Sequence, residues 1–440
     1  MTLSAAKKIA DRGGVVRVGL LGCGHVGSAL VRLIDGNAAS IEARAGVKIE
    51  VAKVAVRNLA KERDVDLAAD RFTHDADEVV GDPSVDLVVE VIGGIEPART
   101  LILTALQAGK PVVTANKELL ANFGRELFET AEANGVDLLF EASVCGGIPL
   151  LRPLRESLAG DRIRRITGIV NGTTNFVLTR MTESGASFHE ALAEAQSLGY
   201  AERDPTADVE GFDAAAKAAI LASIAFGARV VAGDVYSEGI SGVSPSDIES
   251  ARELGYVVKL LALAEEVDDE IAVRVHPAMV PVNHPLAGVK DSFNAVFIEA
   301  DAAGSLMFYG RGAGGMPTAS AVLGDLIDAA RNLAAGSRGA TMGAPSGKRV
   351  RPIDEVASQF YVMCEVADRP GVLAAIASAF GEHGVSIKSM QQQGIADDAR
   401  LIFVTHRARE RDFEATMAAV RQLESVHRVG SILRVVGEDE

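Results

Sequence analysis

The stretch VVRVGLLGCGHVGSALVRLI, residues 15–34, constrains this chain more than any other. A short apolar run, VVRVGLL, breaks at GCGHVG and resumes with helical spacing in SALVRLI. A strand that ends in G-x-G-x-x-G and opens a helix has a mechanical use for each glycine. Gly22 permits the tight turn, Gly24 lets a pyrophosphate approach the backbone beside His25 and Val26, and Gly27 lets helix and strand pack closely. The helix N-terminus then offers its unpaired N–H groups to the phosphates. The motif therefore predicts a Rossmann-type dinucleotide site, with Gly22, Gly24, His25, Val26 and Gly27 at the cofactor.

Further apolar runs support that fold. KIEVAKVAV (48–56), VDLVVEVIGG (85–94), PVVTAN (111–116) and VDLLFEAS (136–143) alternate with helical segments, as in a doubly wound parallel sheet spanning 14–142. The end of the second strand bears on cofactor choice. An acidic residue there would bind a ribose 2′-hydroxyl, but this chain has Arg57, with Lys61 just beyond. A guanidinium suits a 2′-phosphate, so NADP(H) is expected, with NAD(H) use still open.

After about residue 145 the pattern changes. Amphipathic segments at 187–198, 212–230 and 246–266 read as helices, and IAVRVHPAMV and NAVFIEA read as strands. This is an α+β domain over 143–333, whose last part, 310–333, is a glycine loop feeding a helix expected to pack back on the Rossmann domain. Residues 334–357, opening with a run rich in Gly, Ser and basic residues, read as a linker. Residues 358–437 then show the order βαββαβ of a ferredoxin-like unit.

With 440 residues, several domains are expected. A net charge of −16 argues against nucleic-acid or anionic-membrane partners. The most apolar window, 214–232, is interrupted by Lys217 and Arg229, well short of the ~18 apolar residues of a membrane span. The opening MTLSAAKKIADRGG has no apolar core for a signal peptide, and the expected location is cytoplasmic. Cys23, Cys145 and Cys364 lie far apart, with no disulfide or zinc pattern. His276 and His284 flank prolines and read as loop residues rather than metal ligands.

The chemistry concentrates in ERDPTADVEGFDAAAK (202–217), where five carboxylates precede one lysine. Asp213 and Lys217 are four apart and share one helix face. A surface ion pair is one reading. However, alanines and Ile220 make this helix apolar nearly all round, and a buried lysine without a role is rare. As an acid in aldehyde reduction a lysine needs no lowered pKa, whereas as a base it needs desolvation.

At this point the chain resembles the homoserine dehydrogenase family. AEAQSLGYAERDPTADVEGFDAAAK (193–217) carries A-x3-G-aromatic, then D-P-x2-D, then G-x-D-x3-K. TANKELLA (114–121), EASVCGGIP (141–149) and GIVNGTTNFVL (168–178) agree, and DRPGVLAAIASAF with GVSI resembles an ACT regulatory domain. The resemblance implies reversible NAD(P)H-dependent reduction of L-aspartate 4-semialdehyde to L-homoserine. Lys217 would transfer the proton, Asp213 and Asp208 would orient it and the substrate, and Glu202 would bind the substrate ammonium. Thr173 would touch substrate, Gly199 and Gly312 would line the cofactor, and Lys117 would bind ligand or serve as the second proton-transfer candidate. The resemblance further implies a monovalent cation, Na+ or K+, on main-chain carbonyls of Glu141, Val144, Gly146 and Ile148. It also implies threonine as an effector at the ACT unit and a homodimer or homotetramer.

Two rival readings stay open on sequence alone. One is a phosphorylating semialdehyde dehydrogenase with Cys145 as nucleophile, although no histidine lies nearby in sequence. The other is a non-enzymatic sensor, for which a buried Lys–Asp pair has no use.

Overall fold

The computed structural model describes residues 2–340, 347–394 and 399–437, so part of the expected linker lies outside the described residues. The chain forms two compact units. The first comprises Met1–Arg164, Ala219–Asp234 and Glu299–Lys348. The second comprises Arg165–Ala218, Val235–Ile298 and Arg349–Glu440.

In the first unit, β1 (Val15–Leu21), β2 (Lys48–Ala55), β3 (Phe72–Thr73), β4 (Leu87–Glu90), β5 (Val112–Thr114) and β6 (Leu138–Leu139) form one sheet. Its order is β3-β2-β1-β4-β5-β6 and its pairings are all parallel. The order in which strands are added reverses between β1 and β4, which is where open α/β sheets bind ligands, at the carboxyl ends of the strands. Every residue of β4 and β5 is buried, matching their unbroken apolar runs. The helix Gly315–Ala334 shares the core of this sheet. Its Ala319, Val322, Leu323, Leu326 and Ala329 pack in one cluster with Val18, Leu20, Leu30, Val31 and Ile34. Truncating Leu326 there removes apolar contacts worth about 2–5 kcal/mol.

The last two strands are shorter than their apolar runs suggest. The β5 run stops because Asn116 caps the helix Lys117–Asn134, accepting from the Leu119 N–H at 3.1 Å. After β6 the chain turns into a short helical turn, Glu141–Ser143.

In a second sheet, which falls mostly in the second unit, strands Ile163–Ile169, Tyr256–Val267, Glu270–Pro281, Val426–Val435, Ala357–Val366, Ala399–Thr405 and Ile387–Gln393 are neighbours in that order. The C-terminal part reads Ala357–Val366, helix Val372–Glu382, Ile387–Gln393, Ala399–Thr405, helix Glu410–Val420, Val426–Val435, the ferredoxin-like order. Its last strand joins the rest of the unit by a parallel pairing of Ala278 with Arg434 and Met279 with Val435. Beside it, Arg434 donates to Glu410 at 2.8 and 2.9 Å, and also pairs with Glu238.

Two expectations are corrected here. The helix expected over 246–266 exists only as Pro245–Glu253, and Tyr256–Val267 is a strand. Gly255, at φ +83°, turns the chain out of the helix. YVVKLLALAEEV then pairs with Glu270–Pro281 over twelve residues. That long-range pairing overrides the helix propensity of its leucines and alanines. Nor is His276 a loop residue. It lies buried within Glu270–Pro281, and Pro277 falls between the short pairings at Arg274–Val275 and Ala278–Met279. Burial pushes the His276 imidazole well below its ordinary range, so the ring is neutral at physiological pH.

Candidate active site

The glycine turn follows β1 directly. Gly22 sits at φ +100°, and a Cβ there would lie 2.9 Å from the Val91 carbonyl oxygen. At Gly27 a Cβ would lie 2.2 Å from the Gly22 carbonyl oxygen, so only glycine lets the helix His25–Gly36 start this close to the strand. Gly24 is different: it is exposed, and nothing lies within 4 Å of its Cβ position. Open space over the backbone is what a pyrophosphate requires. His25 and Val26 form the first turn of the helix, His25 exposed and Val26 half-buried. Arg57 and Lys61 are exposed just beyond β2, where a 2′-phosphate would be met.

The ends of β4 and β5 are tied by a residue that the motifs did not single out. Glu90 is fully buried, and its Oε1 accepts from the Ile92 and Gly93 N–H groups at 2.8 and 2.9 Å. Its Oε2 accepts from the Thr114 hydroxyl at 2.5 Å. Asn116 completes the tie by donating to the Gly94 carbonyl at 2.6 Å. Lys117, half-buried, is the first residue of the helix that Asn116 caps. The glutamate and two short polar residues thus hold the two loops, and with them Lys117, at the carboxyl edge of the sheet.

The helix Phe212–Phe226 carries Asp213 in its first turn and Lys217 in its second, both in the part of it that belongs to the second unit. Alanines at 214–216, 218 and 219 give it high helix propensity and are buried. Both ionic side chains are drawn in with them: exposures are 11% for Lys217 and 8% for Asp213. Lys217 Nζ donates to Asp213 Oδ2 and to the Val170 carbonyl, each at 2.7 Å. Asn171 Nδ2 donates to Asp208 Oδ1 at 2.7 Å and to Asp213 Oδ2 at 2.9 Å. Lys217, Asp213 and Asp208 are therefore brought together, and Asn171 joins them. No spacing in the sequence could have found Asn171, which is 37 and 42 residues from its partners.

The other expected residues of this unit make local bonds or are exposed. Thr173 is buried and donates to the Tyr200 carbonyl at 2.7 Å, which fixes the turn at Gly199, itself at φ +76° and exposed. Glu202 is exposed on the following loop. Asp204 accepts from the Thr206 hydroxyl and N–H at 2.7 and 3.2 Å, which holds its carboxyl below the usual range and marks it as a turn residue. The site thus gathers three of the expected side chains tightly and leaves Glu202 facing solvent.

The loop after β6 is closely packed. Cys145 is at φ +54° and buried, Gly146 is at φ +40°, and a Cβ on Gly146 would lie 2.6 Å from the Gly312 carbonyl oxygen. The buried Glu141 carboxylate accepts from the N–H groups of Leu150, Leu151 and Arg152 at 2.5, 2.8 and 2.8 Å. Its own N–H donates to Asp325 at 2.7 Å, and burial pushes the Asp325 carboxyl up to about 7. Val144 and Ile148 are buried, and the Ile148 N–H returns to the Cys145 carbonyl at 2.9 Å. The Glu141 side chain is committed to amides, so a cation here would be held by main-chain oxygens. A buried thiol in a left-handed turn is also a poor nucleophile.

Comparison with known proteins identifies the family. The homoserine dehydrogenase catalytic model matches residues 149–327, its NAD-binding model residues 22–141, and the ACT model residues 360–425. The homoserine dehydrogenase of Mycobacterium tuberculosis is 49% identical over 433 residues, covering 96% of this chain and 98% of that protein. The chain belongs to the homoserine dehydrogenase family. The Corynebacterium glutamicum homoserine dehydrogenase is 50% identical over 428 residues, covering 96% of each. Among solved structures, a homoserine dehydrogenase from Thiobacillus denitrificans superposes with a TM-score of 0.91 at 41% identity, covering 96% of this chain and 98% of that one. A hyperthermophilic archaeal homoserine dehydrogenase in complex with NADPH matches at TM-score 0.61 and 30% identity, covering 72% of this chain and 97% of that chain. This homoserine dehydrogenase chain is accordingly an NAD(P)-dependent oxidoreductase with a C-terminal ACT domain. No helix among its described residues is long and apolar enough to cross a membrane.

Proposed function

We propose that the chain interconverts L-aspartate 4-semialdehyde and L-homoserine, with Lys217 as the proton-transfer residue. The observation that carries this reading is the half-buried Lys217 ammonium held between Asp213 and the Val170 carbonyl. Bound NAD(P)H supplies the hydride that the carbonyl carbon accepts. In the reductive direction Lys217 gives a proton to the carbonyl oxygen as that hydride arrives, and solvent restores it. In the oxidative direction Lys217, deprotonated, takes the hydroxyl proton. Asp213 and Asp208 orient the amine and the substrate, Glu202 holds the substrate ammonium, and Thr173 contacts the substrate. Lys117 binds ligand and is the alternative proton carrier.

The residues present suit the dinucleotide: Gly22, Gly24, His25, Val26 and Gly27 would hold its pyrophosphate, and Gly199 and Gly312 would line the cofactor. Arg57 and Lys61 favour NADP(H) over NAD(H), because the strand end offers cations where a 2′-hydroxyl would want a carboxylate. Main-chain oxygens of Glu141, Val144, Gly146 and Ile148 would hold Na+ or K+, in a loop that Gly312 and Asp325 keep rigid. The ACT unit would take threonine near Asp368–Gly371, an exposed turn that opens the helix Val372–Glu382 with Gly371 at φ +93°. A homodimer or homotetramer is the expected assembly.

The decisive assay is oxidation of NADPH by L-aspartate 4-semialdehyde. Turnover in the native chain, abolished in Lys217→Ala while NADPH still binds, supports the reading. Undiminished turnover in Lys217→Ala transfers the role to Lys117. Titrating threonine, exchanging NADPH for NADH, and removing Na+ and K+ test the finer assignments separately.

A further inference from the structure

Asn171 stands at the end of the strand Ile163–Ile169, as the N-cap of the helix Gly172–Ser184. Its side chain is 4% exposed and does two things at once. Oδ1 accepts from the Thr174 N–H at 2.9 Å and from the Thr174 hydroxyl at 3.0 Å. A backbone N–H can only donate, so the amide is fixed with its oxygen toward Thr174 and its NH2 toward the carboxylates. The two hydrogens of that NH2 are then divided, one to Asp208 Oδ1 and one to Asp213 Oδ2.

Asp213 Oδ2 is the oxygen that also receives Lys217 Nζ. The other acceptor of Lys217 is the carbonyl of Val170, the residue next to Asn171. One dipeptide, Val170-Asn171, therefore brackets the ammonium, from its main chain on one side and through Asp213 on the other. The bracket is anchored. A Cβ on Gly172 would lie 2.6 Å from the Ser292 carbonyl oxygen, and Asn175 donates to the Asp291 carbonyl at 2.9 Å.

We infer that Asn171 is a positioning residue for the proton transfer. It acts as a neutral donor that holds Asp208 and Asp213 at a fixed separation and so sets the direction of Lys217. The chemistry of the position is narrow. An arginine or lysine would compete with Lys217 for Asp213. A serine could cap the helix but has one hydrogen and cannot bridge two carboxylates. An aspartate has the same shape and the same capping oxygen, yet would put a third carboxylate where a donor is needed. The inference rests on the assignment of Lys217 made above.

The test compares Asn171→Ser and Asn171→Asp in the full chain, beside Lys217→Met. Serine and aspartate cap helices about as well as asparagine, so folding and NADPH binding are expected to stay close to the native chain. The kcat of Asn171→Ser is expected to fall about 10- to 100-fold, the cost of a misdirected catalytic group, with KM for NADPH unchanged. Asn171→Asp, though isosteric, is expected to fall further than the serine variant. If both variants keep kcat within about two-fold of the native chain, Asn171 is only a cap and the inference is wrong. A fall that tracks a loss of NADPH-binding sites assigns Asn171 to the fold and likewise overturns it. If Lys217→Met stays active, it is the proton-transfer assignment that fails, and the inference with it. Loss in Lys217→Met alone removes only the role of Asn171.

Discussion

Two lysines of the second unit are drawn out of water, one linked to Asn171 through Asp213 and the other bonded directly to Asn175. Lys217 sits between Asp213 and the Val170 carbonyl, with Asn171 beyond the carboxylate. Lys259, 2% exposed, donates to Asn175 Oδ1 at 3.0 Å and to the Val289 carbonyl. Only the first has a carboxylate in its shell. Burial pushes the Lys259 amine down to about 8, Lys290 adds to this, and Glu183 and Asp291 offset it only in part. A buried lysine becomes chemical through its neighbours. Both meet carbonyl oxygens, but one is linked to a carboxylate pair that a fourth residue keeps in place, and the other fills the core. A buried lysine is therefore no proof of a role by itself.

The largest effects are expected at the lysines themselves. Lys217→Met is expected to lower kcat for semialdehyde reduction by about 10²- to 10⁴-fold, the usual contribution of a positioned proton donor. Lys259→Met should leave kcat within a few-fold, and steady-state rates of the two variants decide it. Equal losses in both would erase the distinction.

The next effect is on stability. Because the folded Lys259 amine titrates at about 8 rather than 10.5, the unfolded chain binds more protons between those values. The cost of burying the charged amine is thus fully present below pH 8, and stability recovers as pH rises from about 8 to 10.5. That recovery is worth roughly 3 kcal/mol. Denaturant unfolding across this range should show the native chain gaining on Lys259→Met. Parallel curves would mean that the amine is not depressed.

Asn175→Asp sharpens the contrast by giving Lys259 the carboxylate it lacks. Asn175 also donates to the carbonyls of Val289, Asp291 and Phe293 at 3.3, 2.9 and 3.3 Å, so losing those bonds should cost about 1–3 kcal/mol. The gain in stability between pH 8 and 10.5 should shrink in the same variant. The smallest effect is expected outside both lysine sites. Arg57→Ala should weaken NADPH by about ten-fold, roughly 1.4 kcal/mol, and leave NADH nearly unchanged in a binding titration.

What the sequence revealed and what it hid follow from distance along the chain. The turn at Gly22–Gly27 is legible because its three glycines act within six residues, and the pair Asp213–Lys217 because it lies within one helical turn. Asn171 and Glu90 were hidden, since an asparagine in NGTTN or a glutamate in VVEVIGG looks like any polar residue until partners from elsewhere are in place. The strand Tyr256–Val267 was hidden for the same reason. Leucine and alanine favour a helix locally, and only the neighbouring strand Glu270–Pro281 makes extension the better choice. His276 was misread because prolines mark breaks in most sequences, while here Pro277 sits inside a strand.

The two-residue pairing of Ala278–Met279 with Arg434–Val435 has a consequence for anyone who would build chimeras from this chain. The final strand of the ACT domain is also a neighbour of the strand Glu270–Pro281. A truncation at the apparent domain boundary would therefore strip a cover from that edge, leave Glu238 without its arginine, and present open backbone groups to other chains. Graft designs that exchange the ACT domain must keep 426–435, or supply a strand in its place.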